Sequence, residues 1–192
     1  MHAHRQSHNQ PIMDKKFLSL AIAIGALGTG LGIYAGNASS SPESPQNGAV
    51  KALLEKSLND STGKPQALSQ WKNQFLVLNF WATWCAPCVK EMPELSALQN
   101  EFKGKQVQIL GLGIDSPSNI ADFSKKYAIS YPLYVAGIDG SELSRQMGNQ
   151  AGGLPFTVLV DPHGKVVKSY LGRLKMDELR ADITKFSAEK LK

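Results

Sequence analysis

The chain has 192 residues, 42% of them hydrophobic, which is enough for one domain with an ordinary core plus appendages. Its formal charge of +5 invites an anionic partner, but from residue 39 onward 18 Lys and Arg stand against 15 Asp and Glu, dispersed along the chain. Dispersed charge of that kind is a solvated surface and argues against nucleic acid as a partner.

Residues 1–16 form a basic leader, expected on the cytoplasmic side, with His2, His4 and His8 beside Arg5, Lys15 and Lys16. The histidines read as part of a polar leader rather than as metal ligands, and Met13 is an alternative start. Residues 17–36 carry no charge and as a helix would span about 30 Å, one hydrocarbon thickness. That run exceeds the usual core of a cleaved signal and favours a retained single-pass anchor, although Gly36-Asn37-Ala38 would serve as a cleavage site. Gly28, Gly32 and Gly36 make a ridge of small residues of the kind that packs helices in membranes. The nearby positive charge precedes the run, so the positive-inside bias puts the rest of the chain outside the cytoplasm. Residues 37–49 read as a flexible Ser/Pro linker, and the folded domain is expected over residues 50–192.

Within that domain, residues 50–74 are weakly patterned, and the turn formers Thr62-Gly63-Lys64-Pro65 suggest a loose hairpin. From Phe75 the pattern alternates. A buried strand at 75–81 precedes a helix at 86–102, expected to kink at Pro93. A strand at 107–114 leads to a helix opened by Pro117, and a short segment at Tyr131–Val135 to a helix near 140–147, where Asp139 and Glu142 have capping-box spacing. Phe156–Val160 and Lys165–Leu171, joined by Asp161-Pro162-His163-Gly164, read as a hairpin, and His163 as one of its turn residues. Leu179, Ile183 and Phe186 form the apolar stripe of a last helix. The alternation predicts a three-layer α/β sandwich with a central sheet and no internal repeat.

Both cysteines, Cys85 and Cys88, fall where the first strand hands over to a helix. At a helix N-terminus the free N–H groups and the macrodipole favour a thiolate, which is the nucleophilic form of sulfur. Cys88, one turn on, can attack a mixed disulfide formed at Cys85, while Pro87 occupies a first-turn position where a missing N–H costs little. Redox chemistry is the leading reading. Half a zinc site, a structural disulfide and a pair of buried apolar cysteines stand beside it; the first lacks a second Cys/His pair, and the second closes too small a loop to stabilise the chain much.

Phe80-Trp81-Ala82-Thr83-Trp84-Cys85-Ala86-Pro87-Cys88 resembles the active-site signature of the thioredoxin superfamily. Asn79 before it and Glu91-Met92-Pro93-Glu94-Leu95 after it resemble the membrane-anchored TlpA/ResA-like thiol–disulfide oxidoreductases, a likeness that covers about residues 50–190. The resemblance implies a thioredoxin-like α/β/α sandwich with a mixed sheet, an enzyme without cofactor beyond a Cys85–Cys88 disulfide, and no metal. It implies a cis Leu154–Pro155 bond near the cysteines and a substrate surface made by Trp84, Ala86, Pro87, Leu154 and Pro155, with Trp81 packed inside. Many thioredoxins have a proton-transferring aspartate where this chain has Asn79, and an amide cannot take that role. Glu91, one turn beyond Cys88, is the nearest candidate, against the alternative of a solvated glutamate. The expected partners are protein thiols and disulfides, with a membrane thiol reductase as electron donor, and the expected location is the inner membrane with the domain facing the periplasm. The reductase reading stands beside three others: a disulfide oxidase, a dedicated apocytochrome c reductase for cytochrome c maturation, and a copper or zinc carrier using the cysteine pair.

Overall fold

The computed structural model describes residues 43–188. The fold begins earlier than the sequence reading placed it. Helix α1, Pro45–Leu54, starts inside the stretch taken as linker, and Ala49, Val50, Leu53 and Leu54 are buried. Ser44 and Pro45 are its cap rather than a tether: the Ser44 hydroxyl accepts the Asn47 N–H at 3.3 Å, and proline fills the first turn. Composition alone could not separate a Ser-Pro linker from a Ser-Pro helix start. The anchor read at 17–36, the leader with its histidines and the linker residues 37–42 lie outside the described residues. Among the described residues no helix is long and apolar enough to cross a membrane.

After α1, β1 (Ser57–Asn59) and β2 (Pro65–Ala67) pair antiparallel around the expected turn. A 3₁₀ turn, Leu68–Trp71, leads to the main sheet. Its strands are β3 (Phe75–Trp81), β4 (Val107–Gly113), β5 (Leu133–Val135), β6 (Phe156–Val160) and β7 (Val166–Leu171), in the order β5-β4-β3-β6-β7. β3, β4 and β5 run parallel, and β6 and β7 complete the sheet antiparallel. The helices are α2 (Ala86–Glu101), α3 (Pro117–Lys126), α4 (Asp139–Gln146) and α5 (Met176–Ala188).

All seven residues of β3 are buried, as expected of a central strand that is apolar at every position but Asn79. Alternate residues serve two cores. Phe75, Val77 and Trp81 pack with Met92, Leu95 and Leu98 of α2, Phe123 of α3 and Leu179 and Ile183 of α5. Leu76, Leu78 and Phe80 pack with α1 and with Met147 just after α4. The sheet is therefore the middle of three layers, the thioredoxin-like arrangement. Helix α2 spans Pro93 as a single element. One local expectation changes. Helix α4 is capped at Ile138 without a side-chain hydrogen bond, so Asp139 and Glu142 stand in its first turn as acidic residues facing the dipole and form no capping box.

Candidate active site

β3 ends at Trp81, and four residues later Cys85 is the N-cap of α2. The cysteines are joined by a disulfide, Cα to Cα 5.3 Å, and the Cys88 N–H donates to Cys85 Sγ at 3.3 Å. That amide is one of the donors a helix start leaves without an intrahelical partner, and it points at the sulfur whose anion it would stabilise. Cys85 is 6% exposed and Cys88 fully enclosed, so a partner reaches the first sulfur before the second.

The residues around the pair fall on either side of the surface. Trp84 is 71% exposed, and Ala86 and Pro87 are exposed with it, while Trp81 is fully buried. The Trp84 turn is held by Asp115, whose carboxylate accepts the N–H and hydroxyl of Thr83 and is itself fixed by the Ser116 N–H and the Asn119 amide. These bonds hold the Asp115 carboxyl below the usual aspartate range despite its partial burial.

Pro155 opens β6, and the register Phe80↔Phe156 sets it beside the end of β3, at the same edge of the sheet as the disulfide. The Leu154–Pro155 bond is cis, Pro155 is buried and Leu154 half-buried. Asn149 braces the approach to this bond by donating to the Gly153 carbonyl at 2.9 Å, and the Gly172 N–H donates to the Pro155 carbonyl at 2.8 Å.

Beneath this surface Glu91 is wholly enclosed, which removes the solvated reading. Its Oε1 accepts from Asn79 Nδ2 at 2.9 Å and its Oε2 from the Leu174 N–H at 3.0 Å. The Asn79 amide also donates to Thr157 Oγ1 at 3.0 Å, so the partner strand β6 helps set its orientation. Burial pushes the Glu91 carboxyl up to about 7, against the opposing pull of the two hydrogen bonds and of the Arg173 guanidinium. A carboxyl with a pKa near neutrality can gain or lose a proton at physiological pH, and this one stands one turn beyond an enclosed cysteine. Among the described residues no three His, Cys, Asp or Glu side chains gather as a metal site. His163 stays in the hairpin turn, at the far end of the sheet from Cys85, its N–H on Asp161 Oδ1.

The sequence reading did not single out Asp115, Asn149, Thr157 or Leu174. Asp115-Ser116-Pro117 carries a visible helix-start signal, but its link to Thr83 depends on β3 and β4 lying side by side. Thr157 faces Asn79 across the β3–β6 pair, and Leu174 acts through its backbone, which no side-chain pattern reveals.

The model of the redoxin family matches residues 45–184. A thiol-disulfide oxidoreductase ResA of Bacillus thuringiensis (strain Al Hakam) is 34% identical over 131 residues, 68% of this chain and 73% of the relative. One from Geobacillus thermodenitrificans is 30% identical over 64% of this chain and 69% of the relative. Among solved structures, MTB dsbF superposes with a TM-score of 0.59 at 27% identity, covering 70% of this chain and 97% of that one. A thiol-disulfide oxidoreductase from Bacteroides fragilis superposes with a TM-score of 0.57 at 27% identity, over 68% and 95%. The family match takes in every described element from α1 to most of α5, so the chain belongs to the redoxin family and is a thiol–disulfide oxidoreductase.

Proposed function

We propose that this oxidoreductase works as a disulfide reductase on protein substrates outside the cytoplasm, held to the membrane by residues 17–36. Cys85 attacks a substrate disulfide, Cys88 resolves the mixed disulfide, and Glu91 takes the proton that Cys88 must lose. Trp84, Ala86, Pro87, Leu154 and Pro155 meet the substrate. A membrane thiol reductase then returns two electrons and two protons to the Cys85–Cys88 disulfide, since an oxidising compartment supplies none of its own accord.

The observation that carries the direction is the buried carboxyl of Glu91 one turn beyond Cys88. A strongly oxidising dithiol is one whose reduced form is stabilised, and stabilisation of a thiolate is the usual means. An enclosed carboxylate near Cys88 works against a thiolate there. The reduced pair thus gains little stabilisation and gives up its electrons readily. Equilibration with a glutathione buffer tests this. The expected potential lies close to the thioredoxin value of about −270 mV, and a value above roughly −180 mV would make the chain an oxidase instead.

A further inference from the structure

Four buried side-chain polar atoms have no hydrogen-bond partner among the described residues: Asn79 Oδ1, Trp81 Nε1, Tyr131 Oη and Asn149 Oδ1. Burying such an atom unpaired is costly, so each calls for a partner. The first three belong to one place. Asn79 and Trp81 are alternate residues of β3 on the side of α2, where Asn79 meets Glu91. Tyr131, just before β5, packs in the same core as Trp81, Cys88 and Met92.

Gly111 of β4 is where they meet. It pairs with Asn79 in the parallel register, and a methyl group built on it would stand 3.2 Å from Trp81 Nε1 and 3.3 Å from Tyr131 Cε2. The same methyl would overlap Leu133 Cδ2, so the absence of a side chain lets these groups close over β4. The Asn79 amide spends its nitrogen on Glu91 and on Thr157 of β6, and β3 lies between β6 and β4. Its oxygen is thus the branch turned toward Gly111. An indole donor, an amide acceptor and a phenol hydroxyl that serves as either surround one spot, and none of the three residues is more than 4% exposed.

We infer that these three atoms hold a buried water molecule, and that through it Tyr131 acts as a positioning residue for Glu91. Water suits the set. It accepts from Trp81 Nε1, donates to Asn79 Oδ1 and takes either part with Tyr131, which makes about the three bonds usual for an internal water. It also suits both states of Glu91. With the carboxyl charged, Tyr131 and Trp81 donate to the water, the water to Asn79 and Asn79 to the carboxylate, each bond strengthening the next. When the carboxyl takes a proton and Asn79 turns over, the same water accepts from the amide nitrogen and donates to Tyr131. A side chain fixed as donor or as acceptor would serve only one of these states. Burial, and after it the charge of Glu91, push the Tyr131 hydroxyl well above the ordinary tyrosine range, so it stays protonated throughout. The other titratable or charged groups facing Glu91 are Cys88 and Glu94 of α2 and Arg173 of the β7–α5 loop. The inference rests on the proton role given to Glu91 above and adds the group that tunes it.

Magnetic resonance of the full oxidised chain in detergent micelles tests both parts, with Cys88 held in the disulfide so that it does not titrate. The Trp81 indole N–H should show a direct cross-relaxation peak to a long-lived internal water. Tyr131→Phe keeps the ring, removes only the hydroxyl, and should weaken that peak. The carboxyl carbon resonance of Glu91, assigned by its absence from Glu91→Gln, should titrate near pH 7 in wild type. In Tyr131→Phe it should titrate about half a pH unit or more higher, because the carboxylate has lost a donor from its chain. Tyr134→Phe removes a buried hydroxyl on the other face of the sheet, where it accepts from Trp71 at 2.7 Å, and should leave both readings unchanged. The absence of a water peak at Trp81 in wild type overturns the site, whether or not any variant folds. An unmoved Glu91 titration in Tyr131→Phe, or an equal shift in Tyr134→Phe, overturns the coupling. A wild-type Glu91 that titrates near the ordinary 4.5 overturns the proton role itself, a failure that the water peak does not share.

Discussion

Cys88→Ser is expected to attack substrate disulfides and then stop, holding each captured partner in a covalent bond that dithiothreitol releases. Its multiple turnover should fall by at least about a thousandfold, because the second half of the exchange has lost its nucleophile. Cys85→Ser should lose turnover to the same extent and capture little. The asymmetry comes from the helix start. Side chains in a helix lean toward its N-terminus, so Cys88 is aimed back beneath Cys85 and is fully enclosed. Cys85 sits at the cap and accepts the Cys88 N–H. Non-reducing electrophoresis of the two variants, mixed with an oxidised protein substrate, reads the difference directly. Equal capture by both would mean that nucleophile and resolver are not distinguished by position in the helix.

Glu91→Gln should slow reduction by about ten- to a hundredfold at pH 7–8 and erase an inflection near pH 7 from the rate profile. The substitution fits the site. Gln can accept the Leu174 N–H through its oxygen and donate through its nitrogen to Asn79 Oδ1, which has no partner among the described residues. The same amide suits both states of wild type. Asn79 donates to the carboxylate, and after rotation it can accept from the carboxylic acid, with the Thr157 hydroxyl turning to donate. An aspartate in place of Asn79 would put two acids side by side, so the amide is what allows the titrating group to be Glu91.

The stability of the fold carries the same signature. The folded pKa of Glu91 is raised from an ordinary 4.5 to about 7, so the folded state holds this proton more tightly than the unfolded chain. Its contribution is fully present below about pH 4.5 and is lost as pH rises through about 7, on the order of 3 kcal/mol. Wild type should therefore lose stability relative to Glu91→Gln across that window and not above it. Asp60, held down to about 2 by Thr62, Lys64 and Gln66, changes only at lower pH and is common to both proteins. Urea unfolding of the pair at pH 5, 6, 7 and 8 gives the curve. A constant difference across these values would show that Glu91 does not titrate there.

What could be read in advance follows a physical division. The alternation from Phe75 onward was legible because a central buried strand is apolar at nearly every position, and because Pro117 and the Asp161–Gly164 turn punctuate the chain. The site was legible where its chemistry lies in consecutive residues, Trp84 to Cys88, and where spacing put Glu91 one turn beyond. Helix α1 was not, since a Ser-Pro helix start and a Ser-Pro linker share one composition. Nor was the environment of Glu91. Its partners come from β3 and from the β7–α5 loop, with Asn79 oriented in turn by Thr157 of β6, and the donor at Leu174, 83 residues away, is a main-chain amide. Local sequence names the groups that can react; the long-range pairing of strands decides which of them is kept from water.

The central claim, that Cys85 attacks and Cys88 resolves, is tested most directly by labelling the reduced wild-type chain with less than one equivalent of iodoacetamide near pH 7. Peptide mass mapping then locates the label. Carbamidomethyl is expected almost wholly on Cys85, the capping sulfur with a path to solvent. Label that falls mainly on Cys88, or equally on both, would contradict it.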